Sequence, residues 1–271
     1  MPTESAGEYL LGVNTEELER LRFQHSVWKS TTDAFFERIN VGKGWRCLDV
    51  GAGPGFVTLD LAERVGIKGE VTGLEPSALY SESLRTEAEK KNFRHVKIMN
   101  GSAESVDLPD TYFDIIFVRW VVGFTPDPRA FLAPLVRALK VGGTIAIQDY
   151  LYERLSLFPR GGAFDGMPDV VRAYYKSVGG DPYIGANLPG LLRKFGLEVI
   201  DYSPHCLAGG PESGVIEWAH RFFTVHIPLM VEKGVLEKER GHALLADWLN
   251  HRHDSETIFV SPIVIDIAAR K

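Results

Sequence analysis

The glycine-rich segment CLDVGAGPGF, residues 47–56, constrains the fold of this chain more than any other stretch. An apolar run ends at Val50 and is followed at once by Gly51, Gly53 and Gly55. Glycine has no side chain and adopts left-handed conformations, so a glycine-rich turn lets the backbone approach a ligand closely. The segment therefore predicts a nucleotide-binding turn at the carboxyl end of a buried strand.

Strand and helix patterns alternate on both sides of this turn. We predict strands at 46–50, 70–75, 96–100, 113–120 and 144–150, then at LEVIDYSPHC and TIFVSPIVIDIAAR. Helical segments follow the first, second and fourth of these strands, and such alternation indicates a parallel sheet with ligands at the carboxyl ends of its strands. We therefore predict an α/β fold with a doubly wound, mostly parallel, seven-stranded sheet.

Two local details accompany this prediction. Asp127 and Pro128 are typical of a helix start, and Gly142 with Gly143 predicts where that helix ends. Pro262 lies inside the last apolar run, which indicates an edge strand, a bulge or a break.

The chain reads as one domain over 1–271, because no linker-like segment divides it. We expect an N-terminal helical cover at 1–40, a cofactor-binding core at 41–150, and a cap segment followed by C-terminal strands and helices at 151–271. With 271 residues and 45% hydrophobic content, the chain is long enough to bury one large core.

Charge and composition argue against several classes of protein. A net charge of −6 disfavours binding along nucleic acid, which requires a basic surface. The two cysteines form no disulfide framework, and no run approaches the length of a membrane span. We therefore expect a soluble, cytoplasmic protein with no membrane partner; a homodimer is compatible with the sequence.

The type of ligand follows from what stands beside the glycines. A dinucleotide turn needs a small residue where Phe56 stands, and a phosphate-binding P-loop needs a Gly-Lys-Ser/Thr that is missing. An acid, Asp49, precedes the turn, and its charge would repel a phosphate. The histidines lack metal-ligand spacing, so we expect no metal.

The pattern Asp49-x-Gly51-x-Gly53-x-Gly55 resembles motif I of the class I S-adenosylmethionine-dependent methyltransferases. GLEPS (73–77), GSAESVDLPDTYFDII (101–116) and RALKVGGTIAI (137–147) are similar to later motifs of that family. The segments around the core resemble, more loosely, a subgroup of small-molecule enzymes like those of ubiquinone and menaquinone biosynthesis. The resemblance implies a Rossmann-like methyltransferase fold, S-adenosylmethionine as cofactor and S-adenosylhomocysteine as its product.

The resemblance also implies which residues contact the cofactor. Glu75 ends the second strand, where an acid accepts hydrogen bonds from ribose hydroxyls, and Ser102 stands where many relatives carry Asp. The N-terminal cover would close over the cofactor with Tyr9, Gln24 and Trp28. The full predicted set of cofactor contacts is Asp49, Gly51, Ala52, Gly53, Gly55, Glu75, Pro76, Ser102, Ala103, Glu104, Arg119, Trp120, Tyr9, Gln24 and Trp28.

The methyl acceptor is less constrained. The fourth strand ends in Arg119-Trp120 rather than the Asn/Asp-Pro-Pro-aromatic of enzymes that methylate DNA amines. Aromatic residues are dense at 150–190, the expected cap, which favours a small, partly aromatic or apolar acceptor methylated at oxygen, carbon or nitrogen. Candidate proton acceptors, and hence catalytic residues, are Asp149, Tyr150 and His25.

Alternatives stay open at this point. Arg119 either contacts the methionine end of the cofactor or pairs with Asp149. A binding protein that has lost transfer activity would keep the same turn, and an RNA or protein methyltransferase would show an open or basic groove instead of a small acceptor pocket.

Overall fold

A computed structural model describes residues 15–271, so the predicted contact of Tyr9 lies outside the described residues. The helices are α1 (Thr15–Arg38), α2 (Phe56–Val65), α3 (Ala78–Lys90), α4 (Pro128–Ala138), α5 (Met167–Ser177), α6 (Ile184–Lys194), α7 (Gly214–Glu232) and α8 (Lys238–His251). The strands are β1 (Arg46–Val50), β2 (Glu70–Glu75), β3 (Val96–Asn100), β4 (Phe113–Arg119), β5 (Leu139–Leu151), β6 (Ser156–Phe158), β7 (Glu198–His205), β8 (Ala208–Gly209), β9 (Ile258–Val260) and β10 (Ile263–Arg270).

Seven strands form one sheet in the order β3-β2-β1-β4-β5-β10-β7. The neighbours from β3 to β5 are parallel, and β10 is antiparallel to both β5 and β7. The predicted doubly wound, mostly parallel, seven-stranded sheet is therefore confirmed. A second, antiparallel sheet of β6, β9 and β8 was not predicted, because its strands are only two or three residues long.

The last apolar run of the sequence contributes to both sheets. Pro262 falls in the break between β9 and β10, so one of the three predicted alternatives is correct. The edge position is wrong, because β10 lies between β5 and β7 and pairs with both. A proline within β10 would remove a ladder hydrogen bond, whereas one just before it does not.

Helix α4 and strand β5 meet earlier than the sequence predicts. Asp127 accepts hydrogen bonds from the backbone N–H groups of Arg129 and Ala130, so the predicted helix start is confirmed. The predicted end at Gly142–Gly143 is wrong, because Leu139 is already extended and pairs with Phe113. The register shifts between that pair and the next, and Gly142 within the irregularity has φ +79°.

Helices cover the sheet on both faces. One face buries side chains of α4 and α6, for example Leu132 and Leu188. The other face buries Phe35 and Phe36 of α1 together with side chains of α2. Nearer the N-terminus of α1, Trp28 instead joins an apolar cluster of α5, α7 and the small sheet, which forms the predicted cap after β5. Helix α1 thus connects the sheet to the cap.

Candidate functional site

Most of the predicted site residues in the described part of the chain lie at the carboxyl ends of β1 to β5, and Gln24, His25 and Trp28 lie on α1. Strand β1 lies between β2 and β4 in the sheet: the chain continues from β1 to β2 and β3 on one side, and then crosses to β4 and β5 on the other side. Such a reversal leaves a crevice outside the strand ends, which is where open α/β sheets bind ligands.

The glycine turn that begins this crevice has left-handed backbone geometry. Gly53 has φ +53°, and a Cβ placed there would meet no atom within 4 Å. Gly55 has φ +90°, and a Cβ there would lie 2.2 Å from Leu84. Gly55 is thus required for packing against α3, whereas the space over Gly53 is open for a ligand.

Asp49, at the end of β1, is a buried acid directly beneath the turn. Its Oδ2 accepts a hydrogen bond from the Thr58 hydroxyl at 2.6 Å, which ties β1 to α2. Burial raises the pKa of Asp49 to about 6, against the opposing effects of Thr58 and of the positive charge on Arg119. Asp49 therefore gives the floor of the crevice a negative charge at neutral pH.

Glu75 connects the turn to the end of β2. Its two carboxylate oxygens accept from the N–H of Gly53 at 2.8 Å and from the N–H of Ser77 at 2.9 Å. Burial raises the pKa of Glu75, and these two backbone bonds oppose the rise. A carboxylate has about four lone-pair sites, so Glu75 retains acceptor capacity toward a ligand.

The other predicted contacts of the turn region lie around these two acids. Ala52 is buried within the turn, and Pro76 is exposed between Glu75 and the start of α3. After β3, Ala103 is buried while Glu104 is exposed, and the Ser102 carbonyl accepts from the Ser105 N–H. The structure brings this segment beside Glu75, since the Gly101 N–H donates to the Glu75 carbonyl.

Arg119 provides a positive charge on the opposite side, at the end of β4. It donates to His25 Nδ1 at 3.2 Å and to Thr32 Oγ1 at 3.3 Å, and its guanidinium lies 4.7 Å from the Trp120 ring centre. Burial lowers the pKa of Arg119 to about 10, so it stays charged at neutral pH. Within residues 15–271 it forms no ion pair within 4.0 Å, and the alternative pairing with Asp149 is not formed.

Trp120 follows with unusual backbone geometry. Its φ is +55°, a left-handed conformation that costs a bulky residue about 1–2 kcal/mol. The Trp120 N–H donates to the Gln148 carbonyl at 2.8 Å, which fixes this turn against β5. The strained turn places the indole against Tyr150, with parallel rings whose centres lie 5.7 Å apart.

Helix α1 covers the crevice. The His25 Nε2 lies 3.2 Å from Asp60 and its Nδ1 accepts from Arg119, so the ring is a neutral tautomer with the proton on Nε2. Burial lowers the pKa of His25, in agreement with a neutral ring. His25 also stacks on Phe56, the first residue of α2, with ring centres 5.4 Å apart.

Gln24 and Trp28 contact the cap. The Gln24 side-chain oxygen accepts from Arg20 and from the Trp218 indole, and Trp28 packs edge-on against Trp120 and Trp218. Their contact with a cofactor stays a prediction, whereas their contact with α7 is direct.

Asp149 and Tyr150 end β5 in different surroundings. Asp149 is fully buried, and its carboxylate accepts from the N–H groups of Gly123 at 3.0 Å and Tyr150 at 2.8 Å. Burial raises its pKa to about 6 against these bonds, which organise the turn after β4. Tyr150 lies in an aromatic cluster with Trp120 and Tyr152, and burial raises its pKa well above the ordinary value. A catalytic role for either residue stays a prediction.

Sequence reasoning missed several buried polar residues near the crevice. Glu17 and Arg20 of α1 form a buried ion pair at 2.7 Å, and Thr32, Gln148 and Asp266 are almost fully buried. Polar residues of these types are usually exposed, so nothing in their local sequence indicates burial.

Three polar atoms of the aromatic cluster lack hydrogen-bond partners in residues 15–271. They are the indole N–H groups of Trp28 and Trp120 and the hydroxyl of Tyr175. Buried polar groups are nearly always hydrogen-bonded, so a concentration of unpaired ones indicates a missing partner.

Over 15–271, no three His, Cys, Asp or Glu side chains are grouped as metal ligands. In the same range, every helix is too short or too polar to cross a membrane.

Comparison with known proteins gives a consistent family. Residues 48–147 match the model of the methyltransferase domain family. The demethylmenaquinone methyltransferase of Anoxybacillus flavithermus is 34% identical over 122 residues, which cover 45% of this chain and 50% of that protein. The chain spans about half the length of the curated relatives it matches.

Solved structures share the fold at lower identity. A Bacillus halodurans C-125 protein, provisionally called a methyltransferase, superposes with a TM-score of 0.60 at 21% identity, covering 88% of this chain and 97% of that one. A geranyl diphosphate methyltransferase in complex with S-adenosylmethionine gives a TM-score of 0.57 at 12% identity, with 96% and 93% covered.

Proposed function

We propose that this chain, whose residues 48–147 form a class I S-adenosylmethionine-dependent methyltransferase domain, binds S-adenosylmethionine and transfers its methyl group to a small acceptor. The observation that carries the proposal is the charge pattern of the crevice. Two acids, Asp49 and Glu75, lie on one side of the open glycine turn, and Arg119, without an ion pair in residues 15–271, lies on the other.

This pattern fits the charges of the cofactor. S-adenosylmethionine carries a carboxylate, an ammonium and a sulfonium, together with ribose hydroxyls that donate hydrogen bonds. Arg119 is suited to the carboxylate, the buried acids to the cations, and Glu75 to the ribose. The open space above Gly53 supports a close backbone approach by the ligand.

The chain's own task is to align the acceptor and exclude water. When bound, S-adenosylmethionine supplies an electrophilic methyl group whose leaving group departs uncharged. Alignment for an in-line displacement then supplies most of the rate enhancement. Helix α1 covers the crevice. The packed rings of Trp120 and Tyr150 make the crevice apolar where β4 and β5 end.

The aromatic cluster supports a small, partly aromatic or apolar acceptor. Its rings provide stacking faces, and the donors of Trp28, Trp120 and Tyr175, which have no partner within residues 15–271, provide hydrogen bonds to substituents. The name of the Anoxybacillus relative, a demethylmenaquinone methyltransferase, supports a small-molecule acceptor too. The proposal covers methylation at oxygen, carbon or nitrogen, with Asp149, Tyr150 or His25 as the proton acceptor where one is needed.

Calorimetric titration tests the cofactor. We expect S-adenosylmethionine and S-adenosylhomocysteine to bind the wild type, and Glu75→Ala to weaken binding about 10- to 100-fold, the range for hydrogen bonds to a charged group. Glu89→Ala, an exposed acid on α3, is the matched control and should bind as the wild type. Absence of binding to the wild type would refute the proposal.

Transfer is tested separately with methyl-labelled S-adenosylmethionine and a cell extract. Label entering the low-mass fraction supports a small acceptor. Label entering RNA or protein would support a macromolecular methyltransferase, and binding without any transfer would support the non-catalytic alternative.

A further inference from the structure

A continuous series of buried hydrogen bonds leads from Arg119 through the sheet. Arg119 donates to the Thr32 hydroxyl at 3.3 Å, and that hydroxyl donates to Gln148 Oε1 at 2.7 Å. Gln148 Nε2 in turn donates to Asp266 Oδ1 at 2.7 Å. The series joins four separate elements, β4, α1, β5 and β10, and Thr32, Gln148 and Asp266 are each at most 2% exposed.

The direction of every bond in the series follows from its last member. The Asp266 Oδ2 accepts from Arg38 at 2.8 Å and lies 2.7 Å from His205 Nε2, so the carboxylate is held as an acceptor. Gln148 must therefore turn its NH₂ group toward Asp266 and its oxygen toward Thr32. The Thr32 hydroxyl then donates its one proton in the hydrogen bond to Gln148, so it faces Arg119 only as an acceptor.

A hydroxyl that only accepts is a directed partner for a guanidinium. If Gln148 were reversed, its NH₂ group would donate to Thr32, and the Thr32 proton would turn from Gln148 to the Trp28 carbonyl, which lies 3.3 Å from the hydroxyl oxygen. The fixed polarity keeps the Thr32 proton on Gln148, and hydrogen bonds aligned in one direction strengthen one another in a low-dielectric interior.

Arg119 needs such support because other charges attract it. Asp49 and Asp60 both act on it electrostatically, whereas its contacts to the neutral His25 ring and the Trp120 face, within the described residues, are to uncharged groups. A long side chain drawn toward either acid would leave the crevice without an available positive charge.

We infer that Thr32, Gln148 and Asp266 are positioning residues that hold the Arg119 guanidinium in place for the carboxylate of the cofactor. This inference rests on the proposed function and extends it from the residues of the crevice to a support that reaches β10. These three residues touch neither cofactor nor acceptor; they act through Arg119.

Two ligands separate this role from general stability. S-adenosylhomocysteine carries the amino-acid carboxylate and ammonium, whereas 5′-methylthioadenosine has the same adenosine and thioether without either group; Arg119, a cation, is suited only to the carboxylate. Calorimetry with both ligands is carried out on the wild type, Thr32→Val, Thr32→Ser and Gln148→Met. Thr144→Val, a buried threonine on β5 away from the series, is the matched control.

We expect Thr32→Val and Gln148→Met to weaken S-adenosylhomocysteine binding about five- to tenfold, the effect of losing one ordinary hydrogen bond. The affinity for 5′-methylthioadenosine should change less than about twofold by the same scale. Thr32→Ser keeps the hydroxyl and should restore the wild-type ratio of affinities, and Thr144→Val should leave it unchanged. Circular dichroism and thermal unfolding check that each variant is folded.

Equal weakening for both ligands in Thr32→Val would overturn the inference, and so would an unchanged affinity for S-adenosylhomocysteine. If Gln148→Met does not fold, the pair Thr32→Val and Thr32→Ser still decides the matter. Failure of the wild type to bind S-adenosylhomocysteine would instead count against the proposed function itself.

Discussion

Replacing Asp49 by Asn should stabilise the free protein at alkaline pH while weakening cofactor binding. The Asp49 carboxyl is 2% exposed, and burial raises its pKa from 3.8 to about 6. Because the folded-state pKa is the higher one, this group stabilises the fold below about pH 3.8, and that stabilisation is lost as pH rises through about 6. A rise from 3.8 to about 6 corresponds to about 3 kcal/mol.

Urea denaturation followed by circular dichroism, without cofactor, measures this difference. We expect Asp49→Asn to gain about 2–3 kcal/mol of unfolding free energy relative to the wild type between about pH 4 and pH 8. Asp149 also has a pKa raised to about 6, but it is present in both proteins, so its contribution cancels.

A second variant checks the cause. Thr58→Val removes the hydroxyl that donates to Asp49 at 2.6 Å, so it should destabilise the protein more at pH 8 than at pH 4. A stability difference between Asp49→Asn and the wild type that does not vary with pH would refute the reasoning, since Asp49 would then not be a destabilising buried charge.

Two shorter predictions concern the turn and the cysteines. Gly53→Ala and Gly142→Ala both place a Cβ in open space at positive φ, so each variant should lose about 1 kcal/mol of unfolding free energy. Only Gly53→Ala should weaken S-adenosylhomocysteine binding, measured by calorimetry. Equal binding by the two variants would contradict the placement of the ligand over Gly53. Burial raises the pKa of the Cys47 thiol, whereas Cys206 is exposed. A thiol reagent should therefore label Cys206 rapidly and Cys47 only after unfolding. Rapid labelling of both cysteines in the folded protein would contradict the burial of Cys47.

Much of the fold could be predicted because its signals are local. The strands from β1 to β4, the cap at Asp127 and the left-handed glycines each depend on a few neighbouring residues. Where the prediction failed, long-range pairing decided the outcome. Leu139 belongs to β5 because Phe113 lies opposite, and β10 is internal because β5 and β7 both pair with it.

The candidate site divides in the same way. The acids Asp49 and Glu75 follow from the motif, and the structure brings both to the turn. The roles proposed for Asp149 and His25 could not be separated by sequence, since each depends on donors from other elements. Asp149 accepts from backbone N–H groups, whereas His25 bridges Arg119 and Asp60.

By itself, then, the sequence determined the order of strands and helices and the glycine turn with its acid, because backbone preference and local spacing are properties of contiguous residues. Only the tertiary structure decided that Arg119 lacks an ion pair within residues 15–271. It also decided that Arg119 begins a series of hydrogen bonds through Thr32 and Gln148 to Asp266. These residues come from four elements, and Thr32 and Asp266 are more than 230 positions apart in the chain. Their burial and the direction of their hydrogen bonds arise only when the sheet and α1 are packed together.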